Sequence, residues 1–303
     1  MSNMPGTAKA VQGFAVLDKP SGITSHSYLS RLSKKLGNKI KSGHAGTLDS
    51  FASGVLVCMF GRYTRLSDSF MATTKGYEAE VLFGEETDTL DPLGRVVAIA
   101  EVPTIARLEA AIPQFRGLIK QAAPAFSSVH INGQRAYELA LRGEKFDPKV
   151  REVNIYSLEL LSFDGNKAKL SVTCSKGTYI RSLARDLALA AGSRGRLAAL
   201  RRSFSGPFRI EEAIKLEDFG ENSLLSFTPE LAKSLGYEVL VPDKNEAIAF
   251  CKGQPLYKLA LFAAKKAVPD ARVAVFDSSS SFLGIACFRN NSWLYDFVFG
   301  GSN

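Results

Sequence analysis

The sequence is poor in the residues that build disulfide frameworks and metal centres. Among its 303 residues there are four cysteines, three histidines and one tryptophan. The cysteines, at positions 58, 174, 251 and 287, lie far apart in mostly apolar surroundings, and the histidines show no metal-ligand spacing. We therefore expect reduced thiols, no disulfide bond and no metal site.

Long apolar runs are also missing. The N-terminus has no apolar signal core, and no stretch approaches the roughly 18 apolar residues needed to span a bilayer. We expect a soluble, cytoplasmic protein with no membrane contact. The motifs Gly-x-x-x-x-Gly-Lys-Ser/Thr and Gly-x-Ser-x-Gly are absent too, which removes the usual signals of nucleoside triphosphatases and serine hydrolases.

Positive charge is what the chain has in excess. The formal net charge is +8 at pH 7, which favours a polyanionic partner. Many of the basic residues fall in two clusters: Arg31, Lys34, Lys35, Lys39 and Lys41, and then Arg194, Arg196, Arg201, Arg202 and Arg209. A solvated charged face explains either cluster as well as a phosphate-binding surface does.

The spacing of apolar residues predicts an α+β fold. Alternation predicts strands at 13–17, 55–60, 77–83 and 167–174, with 95–100 as the hairpin partner of strand 77–83. Helices are predicted at about 25–36 with Ser25 or Ser27 as the cap, at 63–70, 104–115 and 135–142, and after Gly177-Thr178. Strict βαβ alternation is absent, which favours a mostly antiparallel sheet. Short β-rich runs after Tyr237 predict a small barrel-like domain.

The most informative stretch is Gly-His-Ala-Gly-Thr-Leu-Asp-Ser at residues 43–50, which we call the octet. Its acid, Asp49, precedes the small apolar segment 52–60, so burial should desolvate the carboxylate unless a cation meets it. Arg181 lies in the first turn of a predicted helix, where a cation needs an acidic partner. Pairing would keep Asp49 ionised at neutral pH. A purely structural ion pair explains this pattern as well as a catalytic one.

Other candidate residues also have simpler explanations. Tyr77 and Tyr179 lie on apolar faces of their elements and are typical of core residues. His44, between two glycines, is typical of a loop. The run Gly43-His44-Ala45-Gly46 matches the Gly-x-x-Gly loop of KH-type RNA clamps, which defines a non-catalytic RNA-binding alternative. Taken singly, none of these features decides the function.

Together and in order, the motifs resemble those of the bacterial-type tRNA pseudouridine-55 synthases, the TruB family. The resemblance rests on Leu17–Ser25, Gly43–Asp49, Lys75–Tyr77 with Thr87–Asp91, and Cys174–Asp186, and it covers roughly residues 13–219. It implies a pseudouridine synthase fold with a central, mostly antiparallel mixed sheet and flanking helices. It also implies a catalytic domain (13–235) and a C-terminal β-rich, PUA-like RNA-binding domain (236–303), while the small polar residues at 1–12 predict a disordered N-terminus.

The resemblance also implies residue roles. Asp49 matches the essential carboxylate, Arg181 the arginine that pairs with it, and Tyr77 the aromatic residue that stacks on the target base. The remaining matches are His44, which holds the target loop open, Tyr179 and Leu200 in the base pocket, and Lys19 and Pro20 behind the site. Segment 124–143 matches an RNA-gripping insertion. There Phe126, His130 and Leu141 replace residues that are often Tyr, Lys and Arg in the family, and we expect Arg142 and Arg135 to compensate.

The implied activity is the isomerisation of uridine 55 in the TΨC loop of tRNA to pseudouridine, without a cofactor. The target base must be flipped out of its loop, with stacking and phosphate contacts from the two basic clusters offsetting the cost. The partner would be the tRNA TΨC stem-loop, bound by a monomer. Attack by Asp49 on the sugar, attack on the base, and proton removal to give a glycal remain equally open. A related synthase with another RNA target and a non-catalytic RNA chaperone are the alternatives.

Overall fold

A computed structural model describes residues 11–37, 40–127, 129–131, 133–144, 146–265 and 268–299. The N-terminus predicted to be disordered, 1–12, lies outside this part of the chain except for its last two residues. The described strands are β1 (Gly13–Lys19), β2 (Ser42–His44), β3 (Ser53–Phe60), β4 (Lys75–Phe83), β5 (Glu85–Thr87), β6 (Val96–Ile99), β7 (Gly117–Ala122), β8 (His130–Ile131), β9 (Gln134–Arg135), β10 (Val150–Asp164), β11 (Lys167–Cys174), β12 (Gly195–Ser205), β13 (Phe208–Arg209), β14 (Glu238–Leu240), β15 (Arg272–Phe276), β16 (Phe282–Arg289) and β17 (Ser292–Val298).

The described α-helices are four to eleven residues long. The α-helices are α1 (Ser25–Lys35), α2 (Ser67–Met71), α3 (Ile105–Ala111), α4 (Ala136–Leu141), α5 (Ile180–Ala190), α6 (Pro229–Ser234), α7 (Lys244–Cys251) and α8 (Ala260–Ala263). Turns of 3₁₀-helix occupy Gly61–Leu66, Ile112–Phe115, Ile210–Glu212, Glu221–Ser223 and Leu256–Lys258. Among the residues described, no helix is both long and apolar enough to cross a membrane.

A mixed sheet in the order β1-β3-β12-β4-β11-β10-β7 forms the centre of the molecule, with β2 added to β3 and β13 to β12. Its pairs are antiparallel except β3–β12, which are parallel and meet only at Ser53–Arg201 and Gly54–Arg202. A side chain at Gly54 would place its Cβ 2.3 Å from the carbonyl oxygen of Arg202. Only glycine therefore lets these strands meet. The predicted α+β fold with a mostly antiparallel sheet is confirmed.

Helices α1 and α5 cover one face of the sheet. Leu32 of α1 and Leu187 of α5 are fully buried in a cluster with Val81 of β4 and Leu170 of β11. On β4, Glu78 is exposed whereas the next residue, Ala79, is buried, because successive strand residues point to opposite faces. The alternation in the sequence therefore identified the covered face correctly.

The predicted hairpin between strand 77–83 and residues 95–100 is wrong. Both edges of β4 are occupied, one by β11 and the other by β12. The chain turns away at Gly84, whose φ is +97°, and the short β5 takes β6 as its partner instead. Sequence alternation identifies strands, but it does not say which strand fills an edge.

Three helix boundaries also differ from prediction. Thr24, not Ser25 or Ser27, caps α1, because its Oγ1 accepts a hydrogen bond from the Ser27 amide. The region predicted as one helix at 63–70 is 3₁₀-helix followed by α2. Thr178 does not cap α5: its hydroxyl donates to the Ser175 carbonyl at 2.9 Å, and the helix begins two residues later.

The C-terminal residues share a hydrophobic core with the central sheet. Strands β14–β17 form a separate four-stranded sheet. Phe227, which is 1% exposed, lies among Phe70 of α2, Tyr237, Phe276 of β15 and Phe282 of β16. The same cluster includes side chains from β1 and β3. The C-terminal part thus covers the face of these strands opposite α1.

We expect Phe227→Ala to lower the free energy of unfolding by about 3–5 kcal/mol, because it removes a fully buried ring from this shared core. Urea denaturation measures the change. Tyr257→Ala is the control, since Tyr257 is 72% exposed and its loss should change stability by less than about 0.5 kcal/mol. Equal effects of the two substitutions would show that the C-terminal part does not pack against the sheet.

Candidate active site

The octet connects β2 to β3, and Asp49 lies in this connection, four residues before β3 begins. Gly43 and His44 pair with β3, so this glycine does not belong to a free Gly-x-x-Gly loop and the KH-type interpretation is wrong. The loop is fastened to the segment after β1. The Ser21 hydroxyl donates to the Phe51 carbonyl at 2.6 Å, and the Gly22 amide donates to the Ser50 carbonyl at 2.8 Å.

Asp49 and Arg181 form the predicted ion pair. The Nε atom of Arg181 lies 2.9 Å from Oδ2 of Asp49, and its Nη2 donates to Oδ1 at 3.3 Å. The guanidinium group also donates to the carbonyls of Thr89 at 2.9 Å and Phe126 at 3.0 Å. The Arg181 side chain is 5% exposed and that of Asp49 is 37% exposed. One carboxylate edge is therefore fixed while the group remains open to a substrate.

Asp91 is a residue that the sequence analysis missed. Its Oδ2 lies 3.7 Å from Nη1 of Arg181, so one guanidinium group faces two carboxylates. Oδ1 of Asp91 accepts hydrogen bonds from the Thr89 hydroxyl at 2.7 Å and the Leu93 amide at 2.9 Å. In the sequence, the run Thr87–Asp91 was interpreted as a motif of the resemblance and as a turn, with no partner assigned to its acids. Its acid would have been a candidate partner for a buried arginine.

The pKa of Asp49 is raised above its usual value. Burial of the carboxylate is the largest cause, the charge of Arg181 opposes it, and the nearby charge of Asp91 adds to it. Arg181 therefore compensates for only part of the cost of burying Asp49. The carboxylate binds a proton more strongly than one in water does, and this makes it a stronger base when ionised.

Lys19 is fully buried and feels the charge of Asp49. Its Nζ donates to the carbonyls of Pro20 at 2.9 Å and Ile23 at 2.7 Å. Burial lowers the pKa of Lys19 to about 8, although the charge of Asp49 opposes this. Pro20 itself is exposed at the start of the turn. Lys19 thus holds the turn that carries Ser21 and Gly22 and lies within the electric field of the carboxylate.

Tyr77 and Leu200 lie on adjacent strands, and Arg202 connects them to the octet. Tyr77 of β4 pairs with Arg202 of β12, and Leu200 pairs with Ala79. The Arg202 side chain donates to the carbonyls of Val55 at 2.7 Å and Gly46 at 3.1 Å. Burial raises the pKa of the Tyr77 phenol, so its hydroxyl is protonated at neutral pH.

Most members of the second basic cluster are bonded within the protein and are therefore not free to bind phosphate. Arg202 is 1% exposed, although the sequence analysis grouped it with surface cations. Three other members pair with acids: Arg194 with Glu86, Arg196 with Glu85 and Arg201 with Asp18, at 3.2, 2.6 and 2.8 Å. In the first cluster, Lys35 donates to the carbonyls of Leu216 and Glu217. The internal pairing of the second cluster corrects the expectation for that cluster, whereas phosphate contacts by the first cluster stay a prediction, with Lys39 outside the described residues.

Tyr179 is held at the start of α5 by two neighbours. Gln121 accepts a hydrogen bond from the Tyr179 amide at 2.8 Å and donates to its carbonyl at 3.1 Å. The guanidinium carbon of Arg151 lies 5.2 Å from the centre of the Tyr179 ring. Because Arg181 follows two residues later, these contacts also position the arginine of the ion pair. Sequence patterns gave no indication of Gln121.

The two remaining predicted site residues, His44 and Arg142, lie on β2 and at the end of α4. His44 lies on β2 opposite Cys58, and burial together with the charge of Arg202 lowers its pKa, so the ring is neutral at pH 7. Arg142 is exposed at the end of α4 and bonds to Glu144 and Gln134 at 2.5 Å. Within the described part of the chain, no group of three or more His, Cys, Asp or Glu side chains could hold a metal ion.

A cavity of about 640 Å³ adjoins the site without containing the ion pair. Its lining includes Ser50, Phe51 and Leu200, and also Glu78 and Lys169. Asp49, Tyr77 and Arg181 do not line it. Of the residues assigned to the base pocket, only Leu200 reaches this cavity.

The burial of Lys19 predicts how the free energy of unfolding depends on pH. The native pKa of Lys19, about 8, lies below the 10.5 of a free lysine, so between these values the unfolded chain binds more protons and stability rises with pH. We expect Lys19→Met to reduce that slope by up to about 1.4 kcal/mol per pH unit. Urea unfolding at pH 8 to 10 measures it. Lys75→Met should act in the same window, since burial also lowers the pKa of Lys75 to about 8. A slope equal to that of the wild type would contradict the burial of the charge.

The comparisons with known proteins agree with this geometry. The model of the N-terminal domain of the TruB family pseudouridylate synthases matches residues 34–180. The tRNA pseudouridine synthase B of Borreliella burgdorferi (strain ZS7) is 45% identical over 237 residues, covering 77% of this chain and 82% of the relative. That of Francisella philomiragia subsp. philomiragia (strain ATCC 25017) is 41% identical over 282 residues, covering 92% and 91%.

Solved structures show the same fold at lower identity. A chain in the crystal structure of a Cbf5-Nop10-Gar1 complex superposes with a TM-score of 0.71 at 23% identity, covering 94% of this chain and 84% of that one. This likeness confirms the pseudouridine synthase fold. With identities of 41% and 45% to curated relatives over most of their lengths, the chain belongs to the TruB family of pseudouridylate synthases.

Proposed function

We propose that this protein isomerises uridine 55 in the TΨC loop of tRNA to pseudouridine, with Asp49 as the catalytic carboxylate. The observation that carries the proposal is the Asp49–Arg181 pair, in which one half-exposed carboxylate is fixed by a buried guanidinium group at 2.9 Å. The names of the relatives, tRNA pseudouridine synthase B, support tRNA as the substrate.

The reaction rearranges bonds without redox change or hydrolysis. The bond between N1 and C1′ breaks, the base turns, C5 bonds to C1′, and the proton of C5 is lost to solvent while N1 gains one. An ionised Asp49 can attack the sugar, attack the base, or remove a sugar proton to give a glycal. Each route uses the carboxylate as a base or nucleophile, and the raised pKa of Asp49 strengthens it in either role.

The aromatic and apolar residues beside the ion pair form the proposed base pocket. Tyr77 is half-buried on β4, and we assign it to stacking on the flipped uracil, with Tyr179 and Leu200 as further walls. Flipping costs a few kcal/mol, and stacking returns about 1–3 kcal/mol per base. His44 is neutral and can insert into the opened RNA loop without repelling or attracting phosphates. Lys19 and Pro20 support the pocket from behind.

Contacts with the rest of the tRNA are assigned to exposed segments. Arg142, on the 124–143 insertion, is the proposed phosphate contact nearest the site. We keep residues 13–235 as the catalytic domain and 236–303 as a PUA-like RNA-binding domain, supported by the four-stranded sheet there. We keep a monomer as the proposed state, and a tRNA substrate supports a cytoplasmic location.

The alternatives make different use of Asp49. A non-catalytic RNA chaperone has no need of a carboxylate whose ionised form is destabilised by burial, so the raised pKa of Asp49 argues for the enzyme. A related synthase with another RNA target would keep the same ion pair and differ only in the RNA it accepts.

The Asp49→Asn substitution separates these possibilities. With tRNA transcripts labelled with tritium at C5 of uridine, the wild type should release label from one site. Asp49→Asn, which keeps the shape and removes the charge, should slow release by at least about 10³-fold. A transcript with cytidine in place of uridine 55 is the substrate control. Absence of release by the wild type would refute the enzyme, whereas release from the control transcript would refute only the substrate position.

Arg181 and Arg142 should show opposite kinetic patterns. Arg181→Lys keeps a positive charge but loses the two-atom contact with Asp49, so we expect a fall of about 100-fold in the single-turnover rate and nearly unchanged tRNA affinity. Arg142→Ala should retain the rate at saturation, weaken tRNA binding and reduce the salt slope of the affinity by about 1. Filter binding and quenched single turnovers measure both. A large loss of affinity in Arg181→Lys would make Arg181 chiefly a phosphate contact.

A further inference from the structure

Ser25 makes an unusual pair of hydrogen bonds with the residue next to Asp49. Its hydroxyl donates to the carbonyl of Leu48 at 2.8 Å and accepts from the amide of Leu48 at 2.9 Å. Ser25 is 1% exposed and Leu48 is 3% exposed, so solvent does not compete for these bonds. One buried hydroxyl therefore satisfies both polar backbone groups of the residue that precedes the carboxylate.

Helix capping does not account for this serine. Thr24 already caps α1 through its own hydroxyl, and the Ser25 side chain points to the octet, 23 positions away in the sequence. In the described structure no backbone group bonds to the amide or carbonyl of Leu48. Without Ser25, two buried backbone groups would lack a partner, which is costly in a protein interior.

Helix α1 fixes both ends of the octet. At its other end, the Ser33 hydroxyl donates to the Leu29 carbonyl at 3.0 Å and accepts a hydrogen bond from the Ser42 hydroxyl at 2.8 Å, and Ser42 directly precedes Gly43. The helix itself is fixed, because Leu32 is fully buried and the Tyr28 hydroxyl donates to the Asp18 carbonyl at 3.2 Å. A rigid helix thus determines where the octet starts and where its carboxylate stands.

We propose that Ser25 is a positioning residue that holds Asp49 in place against Arg181. This inference rests on the proposed function, in which Asp49 carries out the chemistry. Ser25 does not touch Asp49 itself, so it acts through the backbone of Leu48. A carboxylate released from this position by about 1 Å can lose up to about 10²-fold in rate, while the outer surface that contacts tRNA is unchanged.

Three variants test the proposal. Ser25→Ala removes both hydrogen bonds, and Ser25→Thr keeps the hydroxyl. Ser69→Ala is the matched control, because Ser69 is a buried serine bonded to the Tyr237 hydroxyl at 2.5 Å, on the face of the sheet away from the ion pair. The measurements are the single-turnover rate at saturating enzyme, the Kd for tRNA, the Tm and the hydrogen exchange of the Leu48 amide.

We expect Ser25→Ala to slow the rate by about 10- to 100-fold with little change in Kd, and to speed exchange of the Leu48 amide. Ser69→Ala should lower Tm and leave the rate near that of the wild type. Ser25→Thr should be faster than Ser25→Ala.

Four results would overturn the inference. They are equal rates for Ser25→Ala and Ser69→Ala, a loss confined to tRNA affinity, unchanged exchange at Leu48, and a Ser25→Thr protein of wild-type Tm that is as slow as Ser25→Ala. A wild-type enzyme inactive on tRNA would instead refute the proposed function, and exchange at Leu48 would still decide whether the serine fixes the loop.

Discussion

The buried contact between Asp49 and Arg181 is the interaction on which the rest of this structure depends. It joins residues 132 positions apart, and it places a buried guanidinium group between the carboxylates of Asp49 and Asp91, because a buried charge is costly unless it is paired. The close approach of β3 to β12 at Gly54, the turn that ends in Asp91 and the start of α5 all converge on it. The need to bring Asp49 and Arg181 together thus explains the positions of these three backbone segments.

The charged groups around the pair are only partly compensated by their partners. Burial raises the pKa of Asp49 and lowers that of Lys19 to about 8, so the ionised form of each is destabilised. Arg202 adds a buried cation whose two side-chain hydrogen bonds go to backbone carbonyls. A protein selected only for stability would not place these groups together, because burying charge is costly. Their arrangement is typical of a site that uses a reactive carboxylate.

The sequence predicted local structure better than partnership. Alternation located β11 and most of β4 because each strand buries one face. The predicted hairpin of β4 and the surface position expected for Arg202 were both wrong. Edge pairing and the burial of an arginine are set by residues distant in sequence. Asp91 and Gln121 went unrecognised for the same reason. Asp49 and Arg181 were paired correctly because a desolvated acid and a cation at a helix start each need an opposite charge.

The position of β3 links the C-terminal part to the site. Leu56 and Cys58 face the core beneath α1, while Val55, Val57 and Met59 face the core shared with the C-terminal sheet. The strand that follows the octet is thus packed on both faces. A structural role for residues 236–303 is compatible with the proposed RNA-binding role. Alternate residues of β17, Ser292, Leu294 and Asp296, are exposed while Phe297 is buried, so the inner face of this sheet supports β3 while its outer face stays accessible.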